Sequence, residues 1–188
     1  MYAIQHVVKD VSKILVLDTE LTCWENGIPP EGEVSEIIQV GWCWLNFPSL
    51  ERTDRRSILV RPQRSRISEY CTNLTGITPK MAKSGIPFEH AMKHLIKQGT
   101  RSRAWAAWGR DINIFVEQCR NFSAEYPFSD EFVNVSTLAS LFLGLPLRTS
   151  LEKAMEILGV TPEGRAHTAD SDAWNTAAIL AKVAQGKI

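Results

Sequence analysis

Between residues 14 and 51 the chain has no lysine and no arginine. Overall it also lacks net charge, with 21 basic residues against 21 acidic ones, so bulk electrostatics announce no polyanionic partner. Its four cysteines, Cys23, Cys43, Cys71 and Cys119, form no C-x-x-C pair, which argues for reduced thiols over disulfides or a zinc site. No apolar run approaches the roughly 18 residues that a membrane span requires. The first residues, Met1 to His6, are not a basic segment followed by an apolar one, so no secretory signal is read and a cytoplasmic protein is expected. Repeats, low-complexity tracts and composition breaks are absent too. A chain of 188 residues is then expected to be one domain, residues 1–188, with one substantial core.

What is present is a polarised charge pattern. Asp18, Glu20, Glu25, Glu31, Glu33 and Glu36 accumulate in the stretch without bases, and Arg52, Arg55, Arg56, Arg61, Arg64 and Arg66 follow it. One reading of these arginines is a solvated strand and loop. The other is a phosphate-contacting rim beside a metal site.

The aliphatic run at residues 14–17 predicts a buried strand. Gly27, Pro29, Pro30 and Gly32 mark a loop, and residues 36–45 and 56–61 predict two more strands of an antiparallel meander. From Pro62 the chain reads as irregular. Phe88, Ala91, Met92, Leu95 and Ile96 recur at helical spacing across residues 87–98. A strand at 104–108, a helix opened by Asp111 and a strand at 132–135 come next, then helices at about 137–143, 150–158 and 170–183. Strands first, then strand–helix alternation, predict an α/β fold with a mixed sheet of about five strands flanked by helices.

Three local signals bear on chemistry. Asp18-Thr19-Glu20 closes the first strand, where residues i and i+2 project to the same side. Two like charges that close need a cation, or one of them takes a proton. Hard oxygen ligands of this kind suit Mg²⁺ or Mn²⁺. Asp111 follows the strand ending at Trp108 and also reads as a first-turn or capping aspartate of its helix. Gly164-Arg165-Ala166-His167-Thr168-Ala169-Asp170-Ser171-Asp172 leads into the last helix, with Asp170 read as its N-cap. Small residues at Ala173, Ala177 and Ala178 would let that helix lie close to the sheet and bring Asp172 to the other carboxylates. His90 and His94 have an i, i+4 spacing that can bind zinc, but without a third ligand they read as surface histidines. Trp42, Trp44, Trp105, Trp108 and Trp174 read as core or strand residues.

Together, D-x-E on the first strand, a central Asp after a later strand and H-x4-D before the last helix resemble the DEDDh 3′–5′ exonucleases of the RNase H-like superfamily. Asp18, Glu20, Asp111, His167 and Asp172 fall on the five positions in order. Further segments are similar to the branch that trims small RNAs, histone messenger 3′ ends and ribosomal RNA, with its bacterial relatives. They are Leu21-Thr22-Cys23, Ser35 to Gly41, Val60-Arg61-Pro62 and Cys71 to Thr78. After Asn134 the chain has Ser136 and Thr137, where such relatives often carry bases.

The resemblance implies hydrolysis at the 3′ end of RNA or DNA, in single strands or overhangs, releasing nucleoside 5′-monophosphates. It implies two Mg²⁺ or Mn²⁺ ions held by Asp18, Glu20, Asp111 and Asp172, and His167 as general base. It also implies that the backbone at Leu21 and Thr22 and the apolar side chains of Leu74 and Ile77 hold the terminal nucleotide. Trp24 is read either as a further stacking surface or as a loop residue packed on the core. The rival readings are a catalytically silent binding module on the same fold and a polymerase proofreading subunit. The intact five residues stand against the first, and the quoted segments against the second.

Overall fold

Leu15, Val16 and Leu17 are all fully buried, as in a strand covered on both faces. The structure, a computed structural model, describes residues 12–147 and 149–186. Its strands are β1 (Lys13–Leu21), β2 (Ile37–Asn46), β3 (Arg52–Leu59), β4 (Trp105–Ala107) and β5 (Phe132–Asn134). They form one sheet in the order β3-β2-β1-β4-β5, antiparallel through β1–β2–β3 and parallel through β1–β4–β5. The sheet is mixed and five-stranded, as the sequence predicts. The third strand lies earlier than the 56–61 expected; Val60 makes only an isolated bridge to Ile86 and the chain leaves the sheet at Pro62.

Seven helices cover the sheet among the described residues: α1 (Glu69–Thr75), α2 (Pro79–Ser84), α3 (Phe88–Lys97), α4 (Asp111–Asn121), α5 (Val135–Leu143), α6 (Leu151–Leu158) and α7 (Ala169–Ala184). The segment after Pro62, read as irregular, contains two of them. Ser68 caps α1 by accepting from the Cys71 amide at 2.9 Å, and Thr78 with Pro79 opens α2. Residue 135 was expected to continue the fifth strand, but helix α5 begins there, because Asn134 accepts from the Thr137 amide at 2.9 Å and caps it.

The alternation of β1 sorts its side chains between two layers. Leu15 and Leu17 pack with Trp42, Trp44 and Trp105 under α3 and α4. Val16 packs with Cys43, Ala106, Ala177 and Ile179 under α5, α6 and α7. Trp105 stacks on Phe128 at 4.4 Å, and Phe115 of α4 meets Phe128 edge-on at 4.9 Å, fixing the start of α4 beside β4. Trp42, Trp44 and Trp105 are core, as expected, whereas Trp108, Trp174 and Trp24 are half-buried. His94 is half-buried against the Trp42 ring at 5.9 Å, so it is not a surface histidine; His90 is exposed.

Gly41 of β2 stands opposite Asp18 in the sheet. A Cβ there would overlap the backbone of Ala169 and Asp170, so α7 starts in direct contact with the strand. Ala173 and Ala177 continue this approach and are fully buried; Ala178 instead lines a shallow groove with Arg52, Glu163 and Lys182. No helix among the described residues is long and apolar enough to cross a membrane.

Candidate active site

Asp18 and Glu20 share the Val16 side of β1, the side on which α7 lies. Asp172 sits in the first turn of α7, and Gly41 lets that turn touch the sheet. Ligand atoms of Asp18, Glu20 and Asp172 lie within 4.8 Å of one another. Asp111, at the first position of α4, flanks this trio. Thr19 lies on the opposite side of β1 and its hydroxyl donates to Asp111 Oδ1 at 2.8 Å. The D-x-E tripeptide therefore supplies two carboxylates to the cluster and, through its middle residue, anchors another. It lies within β1 and not beyond its end.

The electrostatics are those of an uncompensated acid cluster. Loss of solvent, followed by the charges of Asp111, Glu20 and Asp172, raises the Asp18 carboxyl well above the ordinary range. Burial, then Asp172 and Asp111, pushes Glu20 up to about 8, against a smaller lowering by Arg165. Burial also raises Asp111, opposed by the Thr19 hydrogen bond, and Asp172, opposed by the His167 amide. Among the described residues Asp18 and Glu20 accept no hydrogen bond. A set of hard oxygen ligands in which Asp18 and Glu20 receive no donor, and Asp111 and Asp172 one each, fits a divalent cation, which would favour the charged carboxylates that the bare protein penalises.

His167 is exposed and its backbone has a φ of 58°, a left-handed conformation uncommon for a residue with a side chain. Its N–H donates to Asp172 Oδ2 at 3.0 Å, so the histidine's loop is tied to a carboxylate of the cluster. The structure thus brings Asp18, Glu20 and Asp172 together, with Asp111 joined to β1 through Thr19 and the His167 backbone joined to Asp172.

Asp170 does not cap α7. Thr168 holds the cap position, while Asp170 accepts from Arg55 Nε at 2.8 Å, and Arg55 also donates to Ser171 Oγ at 2.6 Å. Glu33 and Glu36, part of the acidic stretch, lie outside the cluster and bond backbone amides of residues 63–66.

The four residues expected to hold a nucleotide divide in two. Leu21 and Leu74 are half-buried. Thr22, 1% exposed, bonds Glu36 N and Val34 O, and Ile77, 2% exposed, packs with Ile38, Cys71 and Ala82. The Ile77 side chain offers no free surface, and for Thr22 the expectation concerns its backbone.

Two residues of the site were not singled out by the sequence. Thr19 was legible from strand alternation. Arg165 stands out in the sequence only as part of its loop. Its Nη2 donates to Asn73 O and Leu74 O at 3.2 Å each, and its guanidinium occupies the space where Gly76 has no side chain.

The pattern of the RNase T exonuclease family matches residues 15–180. The chain belongs to this exonuclease family. Human 3′-5′ exoribonuclease 1 is 31% identical over 186 residues, covering 92% of this chain and 52% of that protein. The chain therefore spans about half the length of that relative. The Drosophila melanogaster 3′-5′ exonuclease Snipper is 26% identical, covering 92% of the chain and 69% of Snipper. The fold superposes on the nuclease domain of 3′hExo, a DEDDh family member bound to rAMP, with a TM-score of 0.84 and 27% identity, over 96% of each chain. A structure described as 3′-end-specific recognition of histone mRNA stem-loop by 3′-exonuclease is similar, with a TM-score of 0.83 and 27% identity over 94% of this chain and 65% of that one.

Proposed function

We propose that the protein is a metal-dependent 3′–5′ exonuclease acting as one domain on single-stranded or overhanging RNA or DNA ends and releasing nucleoside 5′-monophosphates. The observation that carries this reading is the meeting of Asp18, Glu20 and Asp172, with Asp111 alongside, in a cluster without hydrogen-bond donors for Asp18 and Glu20. Family membership and the relatives' names support the reaction. Asp18, Glu20, Asp111 and Asp172 are the residues that would hold two Mg²⁺ or Mn²⁺ ions. Such a pair supplies positive charge at the attacking and leaving oxygens of an in-line displacement.

The chain's own groups do the remaining work. His167 removes a proton from the attacking water, acting as general base. The new oxygen–phosphorus bond forms as the bond to the 3′ oxygen of the preceding nucleotide breaks. Thr19 holds Asp111 in place, and the His167 amide holds Asp172. Leu74 and Leu21 supply apolar surface for the terminal nucleotide, supported from below by Ile77 and Thr22.

Incubation with a 5′-labelled oligonucleotide and Mn²⁺ tests the proposal. A ladder of products shortened one nucleotide at a time is expected. His167→Ala should lose activity yet still bind Mn²⁺; full turnover by that variant at neutral pH would remove the histidine's role. An intact strand after incubation with wild-type protein and either metal would leave a silent binding module instead.

A further inference from the structure

The loop of residues 61–66 holds three arginines without acidic partners. Arg61, Arg64 and Arg66 are exposed, and no carboxylate pairs with their side chains among the described residues. Elsewhere, Arg52 pairs with Glu163, Arg55 with Asp170, Arg56 with Asp54 and Arg101 with Glu125.

The contrast is not for want of nearby acids. Glu36 accepts from the amides of Gln63, Arg64 and Ser65 at 2.9, 2.9 and 2.7 Å. Glu33 accepts from the Arg66 amide at 2.9 Å. Ser65 Oγ accepts from Val34 N and donates to Val34 O. Both carboxylates bond the loop's backbone and leave its guanidinium groups to solvent. The backbone is fixed and the positive charge is not neutralised there.

Position supplies the second argument. Glu20 pairs with Gln39, and Gln39 with Leu59, so the end of β3 lies two strand spacings, about 10 Å, from Glu20. The arginine loop follows directly, at the same end of the strands as Glu20. Glu36 is itself bonded to Thr22, two residues beyond Glu20. A cluster of carboxylates repels an approaching polyanion, and a fixed positive rim beside it offsets that repulsion.

We propose that residues 61–66 form a phosphate track, with Arg61, Arg64 and Arg66 holding the backbone of a single strand on the 5′ side of its terminal nucleotide. Guanidinium groups suit this because they bond phosphate oxygens in pairs. The proposal rests on the exonuclease reading for its substrate class.

The test separates the two. In Asp18→Asn protein, which should leave the strand uncut, Arg64→Ala/Arg66→Ala is compared with its parent by fluorescence anisotropy on a labelled single strand across a range of salt. Loss of two phosphate contacts should make the slope of log K against log salt shallower by about 1.4, roughly 0.7 for each contact. Arg64→Lys/Arg66→Lys should keep the parent slope. Binding of an uncharged peptide nucleic acid should be insensitive to both pairs. An unchanged slope and affinity in the alanine pair, at an unchanged Tm, would overturn the track. So would a lysine pair whose salt slope is as shallow as that of the alanine pair. Wild-type protein that cuts nothing, with the slope change intact, would sink the exonuclease reading and leave the surface standing.

Discussion

Two buried glutamates stand near each other at the same end of the sheet and are treated in opposite ways. Glu36, 2% exposed, accepts three successive backbone amides, so its charge is spent on the protein itself. Glu20, 8% exposed, accepts none among the described residues and lies among Asp18, Asp111 and Asp172, with its carboxyl raised to about 8. Burial alone therefore does not identify a working carboxylate. The useful distinction is whether the fold supplies donors: where it does, the group is structural, and where it withholds them, the group awaits something from outside.

The largest effect should come from the cluster. Asp18→Asn should lower nuclease activity by at least about a thousandfold at saturating Mn²⁺, since charge at the reacting oxygens is lost. Its Tm without metal should not fall, because a repelled charge has been removed. A large Tm loss would show that Asp18 is structural and would break the contrast with Glu36.

Glu36→Ala should do the reverse, costing about 3 kcal/mol of stability, as three charge-assisted bonds go and buried amides are left unpaired. Denaturant unfolding reads this directly. A change within experimental scatter would mean that water replaces the carboxylate at no cost.

Thr19→Val removes only the donor to Asp111 and should lower activity about tenfold through poorer placement of a ligand. Because that hydrogen bond favours the charged form, the Mn²⁺ concentration required for half-maximal rate should also rise. An unchanged metal requirement would show that Asp111 is held by other contacts.

The smallest effect is a pH dependence. Glu20 moves from an ordinary 4.5 to about 8 on folding, so the stability linked to its protonation is full below about pH 4.5. That stability is lost as pH rises through about 8. In chelator, Tm should therefore drop by a few degrees between mildly acidic and mildly alkaline pH, and Mn²⁺ should restore more at the alkaline end. A Tm that rises with pH in chelator would show that Glu20 is charged and compensated in the bare protein.

Much of this was legible in the chain. The aliphatic run before Asp18 and the helical spacing of Phe88, Ala91, Met92 and Leu95 held in three dimensions, and Asp18, Glu20 and Asp172 converge. Short elements were harder. Helices α1 and α2 are seven and six residues long, too brief for a periodic pattern, although Ser68 and the Thr78-Pro79 pair announced their starts. Long-range choices of partner were not legible at all. Asp170 has the chemistry of a cap but sits within reach of Arg55, 115 residues away in sequence. Glu33 and Glu36 look like metal ligands in a list of acids, and only the folded chain shows which amides claim them.

Gly41 has no functional group, yet the distance between Asp18 and Asp172 depends on it. Even a single methyl there would act as a wedge between the sheet and the last helix, prising apart ligands that share no bond with it. A survey of this protein that scored only reactive side chains would pass over the position that sets their spacing.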